Sequence, residues 1–387
     1  IAAVAECVDI GAKDIDGIVK FAEDNKIDFA VVAPDDPLVL GAVDELEKIG
    51  VPCFGPRANA AIIEGSKVFS KDLMKKFNIP TARYEVFDDM DKALEYIKTA
   101  PIPTVIKADG LALGKGVIIA ETREDAVNAV KSMMEDKIFG ESGSRVVVEE
   151  FLTGPEVSVL SFTDGKTIVP MVSSMDHKRA LDGDKGLNTG GMGTVAPNPY
   201  YTDEVAKECM EKIFLPTVQA MSSLGRPFKG CLYFGLMLTP NGPKVIEYNC
   251  RFGDPETQVV LPLLESDLFE IMRAVSEERL DKIEVKFADK NACCVVLASQ
   301  GYPKAYDKGF EITVGELADN ADYYVAGARL ENGKLLTNGG RVLNVVATAD
   351  TLVNAVADAY KAVESITFEN AYCRRDIGQR ALMAKEG

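Results

Sequence analysis

The chain has 387 residues, of which 47% are hydrophobic and 27% charged, so it can form about two to four folded domains and is not intrinsically disordered. Its formal net charge of -17 argues against nucleic acid or an anionic membrane as a partner. The eight cysteines form no CxxC pair and His177 is the single histidine, which disfavours a disulfide framework, a zinc site and a histidine-based triad. We find no signal-peptide pattern and no apolar run long enough to span a bilayer, and we expect an acidic cytoplasmic protein with reduced thiols.

The first part of the chain predicts an N-terminal α/β domain, residues 1–65. Residues 27–34 predict a buried strand, residues 38–49 a helix and residues 51–54 a second strand, a run typical of an open parallel sheet. The chain enters this pattern midway. We therefore expect the domain to lack its first strand and to leave the 27–34 strand with an unpaired apolar edge.

A larger second domain is predicted for residues 66–290, with a small subdomain at about 80–155. Hydrophobic spacing predicts the elements of its first half, namely helices at 66–77 and 122–136 and strands at 103–108, 116–120 and 145–151. Its second half is predicted to contain strands at 156–162, 166–172, 231–239 and 244–249 and a helix at 202–224. Residues 175–198 are rich in glycine, aspartate and asparagine and have no clear periodicity, which predicts a long functional loop.

From about residue 291 the pattern changes. An apolar run is followed by several short strands and by a helix at 350–364. This change predicts a separate small C-terminal domain, residues 291–387.

Lys107 and the glycine-rich stretch 109–116 form the first candidate site. Glycines allow backbone N–H groups to approach phosphate oxygens, and lysines supply compact positive charge for a polyphosphate. The stretch lacks the GxxxxGK[ST] pattern of a Walker A loop. When these residues are taken alone, an ordinary hairpin turn is the simpler interpretation.

The second candidate is the run Glu149, Glu150, Phe151 and Leu152 at the end of a predicted strand. Backbone groups at a strand end can read the edge of an adenine, while apolar side chains pack on its face. A strand that enters a turn with two exposed acids is the simpler interpretation when the run is considered alone.

The third and strongest candidate lies on the strand at 244–249. Glu247 and Asn249 are two residues apart and so point to the same face, and Arg251 lies one step further along. Two oxygen ligands suit Mg²⁺ or Mn²⁺, and an arginine can neutralise charge on a transferred phosphoryl group. An amphipathic strand with a polar outer face would also alternate in this way, but the surrounding motif disfavours that reading.

The order of these features resembles the ATP-grasp fold. Longer strings resemble glycinamide ribonucleotide synthetases in particular: GSKVFSKD (65–72), VIKADGLALGKGV (105–117), DHKRALDGDKGLNTGGMG (176–193), EYNCRFGDPETQ (247–258), TNGGRVL (337–343) and CRRDIG (373–378). The resemblance extends from about residue 27 to the C-terminus. It implies an α/β fold, in part α+β, with an ATP-grasp domain between a truncated N-terminal parallel α/β domain and a small mixed C-terminal domain.

The resemblance also implies an activity. ATP would drive the ligation of glycine to 5-phosphoribosylamine through a glycyl phosphate, with Mg²⁺ or Mn²⁺ as the metal and with ADP, phosphate and glycinamide ribonucleotide as products. The partners would be these small molecules, and a monomer is the default expectation. Two alternatives stay open. The first is another ATP-grasp enzyme, either a carboxylate–amine ligase or a biotin carboxylase, which the strings TGGMG and RFGDPETQ disfavour. The second is a non-catalytic ATP-binding regulator, which the intact 247–251 motif disfavours.

The resemblance assigns residues to four groups. Glu247 and Asn249 match metal ligands, and Arg251, Lys107 and Asp254 match catalytic residues, with Asp254 near the acceptor side. The residues matching the ATP site, with a mobile loop at 110–116 that closes over the nucleotide, are Lys67, Lys107, Gly114, Lys115, Gly116, Glu149, Glu150, Phe151, Leu152 and Glu156. Those matching the acceptor side are Asp176, His177, Lys178, Asn188, Thr189, Gly190 and Gly191. A merely structural role for His177 has equal weight, and the missing first strand is expected to weaken the phosphoribosylamine side.

Overall fold

The computed structural model describes residues 4–111 and 116–386, so the predicted loop residues Gly114 and Lys115 lie outside the described part of the chain. The helices in chain order are α1 (Ile15–Asp24), α2 (Asp35–Val39), α3 (Ala42–Lys48), α4 (Ala58–Gly65), α5 (Lys67–Lys76), α6 (Met90–Ile97), α7 (Arg123–Met134), α8 (Asp203–Cys209), α9 (Leu215–Ser223), α10 (Thr257–Val260), α11 (Leu268–Ser276), α12 (Leu352–Val363) and α13 (Gln379–Glu386). Over the residues described, no helix combines the length and the apolar character needed to cross a bilayer.

The strands confirm a mixed α/β architecture. In chain order they are β1 (Ala30–Val31), β2 (Cys53–Phe54), β3 (Tyr84–Phe87), β4 (Thr104–Ala108), β5 (Val117–Ala120), β6 (Val146–Glu150), β7 (Glu156–Asp164), β8 (Ile168–Pro170), β9 (Met175–Asp176), β10 (Arg179–Leu181), β11 (Lys185–Asn188), β12 (Gly193–Ala196), β13 (Lys229–Thr239), β14 (Gly242–Asn249), β15 (Asn291–Ser299), β16 (Thr313–Val314), β17 (Ala321–Val325), β18 (Ala328–Glu331), β19 (Lys334–Thr337), β20 (Arg341–Ala349), β21 (Ile366–Thr367) and β22 (Ala371–Tyr372).

The N-terminal strands pair in parallel, as predicted, with Ala30 opposite Cys53. The single helix predicted at 38–49 is instead two helices, α2 and α3. Gly41 lies between them with φ +89°, a left-handed conformation that a continuous helix of L-residues cannot contain.

A four-stranded antiparallel sheet, in the order β3-β6-β4-β5, forms the small subdomain. The helices α6 and α7 cover this sheet, with Ile97 and Met133 among the buried side chains. A capping box, in which Thr122 and Asp125 bond reciprocally, starts α7. The sheet holds the strands that carry Lys107 and Glu149.

A second four-stranded sheet, in the order β14-β13-β7-β8, lies at the centre of the ATP-grasp region. The predicted helix at 202–224 is one continuous helical run, in which a π-helical stretch, Met210–Phe214, joins α8 to α9. This run packs on the sheet through Phe214, whose ring centroid lies 4.3 Å from that of Phe234 on β13. The packing supports β13 and the adjacent strand β14.

The segment 175–198 is not the loop that its composition predicts. It contains β9 to β12, and β12 pairs on one side with β9 and on the other with β15. The resulting six-stranded sheet follows the order β17-β20-β15-β12-β9, with β22 also on β15. Gly193 allows this pairing, because a Cβ there would lie 2.7 Å from the carbonyl oxygen of Cys294. The sheet of the C-terminal region therefore includes strands from the predicted central domain, and the boundary at residue 291 stays a prediction.

Candidate active site

The end of β14 brings Glu247, Asn249 and Arg251 together. The Nη2 atom of Arg251 donates to the Asn249 Oδ1 at 3.3 Å and lies 3.3 Å from the Glu64 Oε1. Glu64 also accepts a 2.7 Å bond from the backbone N–H of Cys250. Glu64 therefore holds both the backbone at Cys250 and the side chain of Arg251. No local sequence pattern indicates this role, because Glu64 lies on α4, far from β14 in the chain.

Several cations converge on Glu247. Burial raises the pKa of this carboxyl, but four nearby positive charges outweigh burial, and the net pKa is lowered. These charges, in decreasing order of effect, belong to Lys178, Lys107, Lys67 and Arg251. Glu247 is therefore an anion at neutral pH, as an oxygen ligand for a cation must be.

Lys178 bridges two of the predicted residues. Its Nζ lies 3.4 Å from the Glu156 Oε2 and 3.6 Å from the Glu247 Oε1. The attraction of Glu156 is the largest cause that raises the pKa of Lys178 well above its usual range. An acceptor-side residue and an ATP-side residue thus meet beside the predicted metal ligands.

The oxygen donors of Glu247 and Asn249 fit a Mg²⁺ or Mn²⁺ site of the kind completed by phosphate oxygens and water. Over residues 4–111 and 116–386, no group of three or more His, Cys, Asp or Glu side chains is arranged to hold a metal.

Lys107 and Lys67 both lie beside the glycine-rich stretch and β14. The Lys107 Nζ donates to the carbonyl oxygen of Ile246 at 2.9 Å and lies 3.0 Å from the Glu149 Oε1. The Lys67 Nζ donates to the carbonyl oxygen of Gly110 at 3.0 Å. Burial lowers the pKa of Lys67, since its ammonium is taken out of water.

The residues of the predicted adenine-binding run face different ways. The buried Glu149 carboxylate points inward to lysines, so its side chain does not face the edge of the site. Glu150 accepts from the Arg83 Nε at 2.7 Å and from the Lys244 Nζ at 3.2 Å. Burial raises the pKa of Glu150, but bonds from Arg83 and Lys244 outweigh it and bring the pKa to about 2. Phe151 is 38% exposed at the point where the chain leaves β6.

Arg341 connects the segment predicted for the acceptor side, residues 188–191, to Asp254. Its Nη1 donates to the carbonyl oxygens of Gly190 and Asp254, both at 2.8 Å, and its Nη2 lies 3.0 Å from the Asp254 Oδ2. A Cβ on Gly191, whose φ is +111°, would lie 2.4 Å from Pro255 Cδ. Arg341 lies in the string TNGGRVL (337–343), but no local pattern predicts its role, because its partners are about 90 and 150 residues away.

Thr189 and Asn188 occupy different environments. The backbone N–H and the Oγ1 of Thr189 both donate to the carbonyl oxygen of Lys178, at 2.8 and 2.9 Å. Asn188 is exposed at the end of β11, where its backbone pairs with Arg179. Thr189 is thus joined to the cluster around Lys178, and Asn188 lies at its margin.

His177, which the resemblance places among the substrate-binding residues, is buried. Its Nδ1 lies 3.0 Å from the carbonyl oxygen of Gly193, and its Nε2 accepts the backbone N–H of Gly378 at 3.2 Å. Burial lowers the pKa of His177 to about 4, so the ring is neutral near pH 7. Both ring nitrogens contact backbone groups, so the ring of His177 joins three parts of the chain.

Two carboxylates, the buried Glu256 and the half-buried Asp176, lie next to this segment. Tyr233 donates to the Glu256 Oε1 at 3.0 Å, and the Asp176 Oδ1 accepts the backbone N–H of His177 at 2.7 Å. Burial raises the pKa of both carboxyls, and their mutual repulsion raises that of Asp176 further. Asp176 was predicted from the sequence, whereas Glu256 was quoted within a string but not assigned.

Comparison with known proteins gives three matching family profiles. They are described as the N domain, the ATP-grasp (A) domain and the C domain of phosphoribosylglycinamide synthetase, and they match residues 1–64, 65–257 and 292–380. The chain is 47% identical over 374 residues to a phosphoribosylamine–glycine ligase of Caldanaerobacter subterraneus subsp. tengcongensis, an alignment that covers 97% of this chain and 90% of that protein. It is 48% identical over 381 residues to a bifunctional purine biosynthetic protein of Schizosaccharomyces pombe, covering 98% of this chain and 48% of that protein.

Solved structures agree with these matches. A phosphoribosylamine–glycine ligase from Thermotoga maritima has a TM-score of 0.78 and 39% identity, covering 84% of this chain and 81% of that one. The biotin carboxylase domain of 2-oxoglutarate carboxylase from Hydrogenobacter thermophilus has a TM-score of 0.76 but 15% identity, covering 98% and 83%, so it shows the fold alone. Since the matching family profiles span nearly the whole chain, the protein belongs to the phosphoribosylglycinamide synthetase family.

Proposed function

We propose that this protein ligates glycine to 5-phosphoribosylamine in the cytoplasm, as a step of purine biosynthesis, with conversion of ATP to ADP and phosphate. The observation that supports the proposal best is the convergence of Lys67, Lys107, Lys178 and Arg251 on the anionic Glu247. Such a cluster can hold a polyphosphate and stabilise charge during phosphoryl transfer. The names of the relatives supply the substrates.

The nucleotide is proposed to lie between the small subdomain and β14. The backbone of Glu150 and Leu152 would read the adenine, Glu156 would take the ribose hydroxyls, and Lys67 and Lys107 would contact the phosphates. Gly114, Lys115 and Gly116 would complete the phosphate contacts. Glu247 and Asn249 would hold Mg²⁺ or Mn²⁺, which when bound supplies further neutralisation of the triphosphate.

The chemistry consists of two displacements. A carboxylate oxygen of glycine attacks the γ-phosphorus, the bond from that phosphorus to the β–γ bridging oxygen breaks, and ADP leaves with the bond electrons. Lys107 and Arg251 offset the charge on the phosphoryl group while it is transferred. The amine nitrogen of 5-phosphoribosylamine then attacks the acyl carbon of glycyl phosphate, phosphate leaves, and the nitrogen loses a proton.

The acceptor side is proposed to be formed by Asp176, Lys178, Thr189, Gly190 and Gly191. Asp254 would act there through Arg341, which donates to the carbonyl oxygens of Gly190 and Gly191. A closed site protects the acyl phosphate from water and holds the amine in reach of the acyl carbon.

A coupled assay for ADP tests the proposal. We expect ADP release only when ATP, glycine and 5-phosphoribosylamine are all present. No ADP should be released when glycine or 5-phosphoribosylamine is omitted. Bicarbonate in place of glycine is the control for biotin carboxylase-like chemistry. Equal ADP release with bicarbonate, or without the amine, would overturn the proposal.

A further inference from the structure

Lys71 is a buried cation that lies within the string GSKVFSKD (65–72) but has no predicted role. Its side chain on α5 is 2% exposed, and its Nζ lies 2.9 Å from the Glu149 Oε2. The same Nζ donates to the Thr81 Oγ1 at 2.7 Å. Burial lowers the pKa of Lys71 to about 8, with Glu149 as the main opposing influence. Fully buried lysines are rare unless paired, and Glu149 is the paired carboxylate here.

The partner of Lys71 is also the partner of Lys107. One oxygen of Glu149 lies 2.9 Å from the Lys71 Nζ, and the other lies 3.0 Å from the Lys107 Nζ. Glu149 is itself buried, with a side chain 3% exposed. Two ammonium groups and one carboxylate leave this buried cluster with a net positive charge.

Both lysines are also connected to β14. Lys107 donates to the carbonyl oxygen of Ile246, and Thr81, the second partner of Lys71, donates to the carbonyl oxygen of Val245 at 2.7 Å. The cluster therefore rests on two successive residues of the strand, directly before Glu247. Its charge lies where the phosphates of the proposed nucleotide would lie.

Two lysines share one carboxylate in this cluster, and this ratio affects the charge of Lys107. A buried carboxylate with a single lysine partner cancels the charge of that lysine and holds its donors. With Lys71 on its other oxygen, Glu149 has a counter-ion of its own. We propose that Lys71 is a positioning residue for nucleotide binding: it neutralises Glu149, so that the positive charge and the donors of Lys107 are available to the triphosphate of ATP. This inference rests on the proposed role of Lys107 in ATP binding.

The test is the affinity for ATP with Mg²⁺, measured by titration calorimetry without glycine or 5-phosphoribosylamine. Lys71→Met keeps the length of the side chain and removes its charge, and we expect tenfold or weaker ATP binding. Lys75→Met is the matched control, because Lys75 lies on the same helix but is exposed. It should bind ATP within twofold of the wild-type protein.

A second substitution separates positioning from a structural role. The double variant Lys71→Met/Glu149→Gln also removes the negative charge of Glu149. It should recover most of the ATP affinity that Lys71→Met alone loses. In the Glu149→Gln background, Lys71→Met should change ATP affinity by less than twofold. This comparison remains decisive if Lys71→Met alone does not fold, because a buried ion pair is better replaced on both sides than broken on one.

A tenfold loss of ATP affinity from Lys71→Met in the Glu149→Gln background would overturn the inference, since Lys71 would then act without Glu149. Unchanged affinity in folded Lys71→Met would overturn it as well. The assay contains no acceptor substrate, so failure of the proposed ligation would not change its outcome, and the two proposals fail separately.

Discussion

Arg374 and Asp184 are 190 positions apart in the chain, yet the Arg374 Nη1 donates to the Asp184 Oδ1 at 2.9 Å. The Arg374 side chain is 1% exposed and also donates to Asp376 and to the carbonyl oxygen of Arg179. The segment 373–378, which carries the family string CRRDIG, therefore holds the β10–β11 hairpin in place through Arg374. That hairpin leads directly into Thr189 and the glycines of the proposed acceptor side.

We predict that Arg374→Met destabilises the fold and weakens use of the acceptor. Removing one partner of a buried charge network costs about 3–5 kcal/mol. Urea unfolding should show this loss, and KM for 5-phosphoribosylamine should rise while the affinity for ATP is kept. Arg375→Met is the control, because Arg375 is exposed; equal losses in the two variants would contradict the prediction.

The metal-ligand assignment predicts a large loss of turnover in Glu247→Gln and Asn249→Ala. Loss of a ligand should remove several kcal/mol of transition-state stabilisation, a rate decrease on the order of a thousandfold. The ADP assay at saturating Mg²⁺ measures this decrease, with thermal unfolding as the check on folding. Glu265→Gln, at an exposed carboxylate away from β14, should retain the wild-type rate. Near-normal rates in either ligand variant would place the ligands elsewhere.

A third prediction concerns Gly191. Alanine there must adopt φ +111° and places its Cβ 2.4 Å from Pro255 Cδ, so the segment held by Arg341 has to shift. We expect kcat/KM for the amine acceptor to fall tenfold or more in Gly191→Ala, and ATP affinity to change little. Gly11→Ala is the matched control, because a Cβ at Gly11 meets nothing within 4 Å. A wild-type kcat/KM in Gly191→Ala would show that this segment does not shape the site.

The lowered pKa of His177 predicts that the free energy of unfolding depends on pH. Its pKa is about 4 in the folded protein and near the ordinary 6.5 when unfolded, so the unfolded chain binds the proton more readily. The stability that the neutral ring supplies is present above pH 6.5 and is lost as the pH falls towards 4. Between pH 7 and pH 5 the loss from this residue should be about 2 kcal/mol.

Urea unfolding of the wild-type protein and of His177→Gln, each at pH 7 and pH 5, isolates this effect. The carboxylates titrate in both proteins, so the difference between the two free energies of unfolding reports the histidine. That difference should shrink as the pH falls. A constant difference would show that His177 is protonated, or exposed, in the folded protein.

The sequence predicted the local features of the site and missed the distant ones. Glu247, Asn249 and Arg251 follow from alternation along one strand, so their positions depend only on β14. Glu64, Lys71 and Arg341 reach the site from α4, α5 and β20, and no local period identifies a side chain whose partner lies 78 to 187 residues away. Nearest-neighbour patterns likewise could not show that the buried ring of His177 bonds to Gly378.

The same limit explains the errors in secondary structure. A hydrophobic period predicts α5, α7 and β13 to within two residues, because each is long and has one buried face. The strands β9 and β12 have two and four residues, too few to show a period, and they become strands by pairing in a sheet that β15 completes. Tertiary pairing, and not local preference, determines their conformation.

The position of β12 also affects the order in which the protein can form during synthesis. Val195 on β12 pairs with Cys293 on β15, so β12 leaves the ribosome roughly a hundred residues before its partner, an interval of roughly 5–20 s. All four residues of β12 are buried in the finished sheet, and until β15 arrives they are an uncovered strand edge. The proposed acceptor side, directly before β12 in the chain, therefore reaches its final geometry only after translation has passed residue 299, and a nascent chain that stalls earlier exposes a segment open to association.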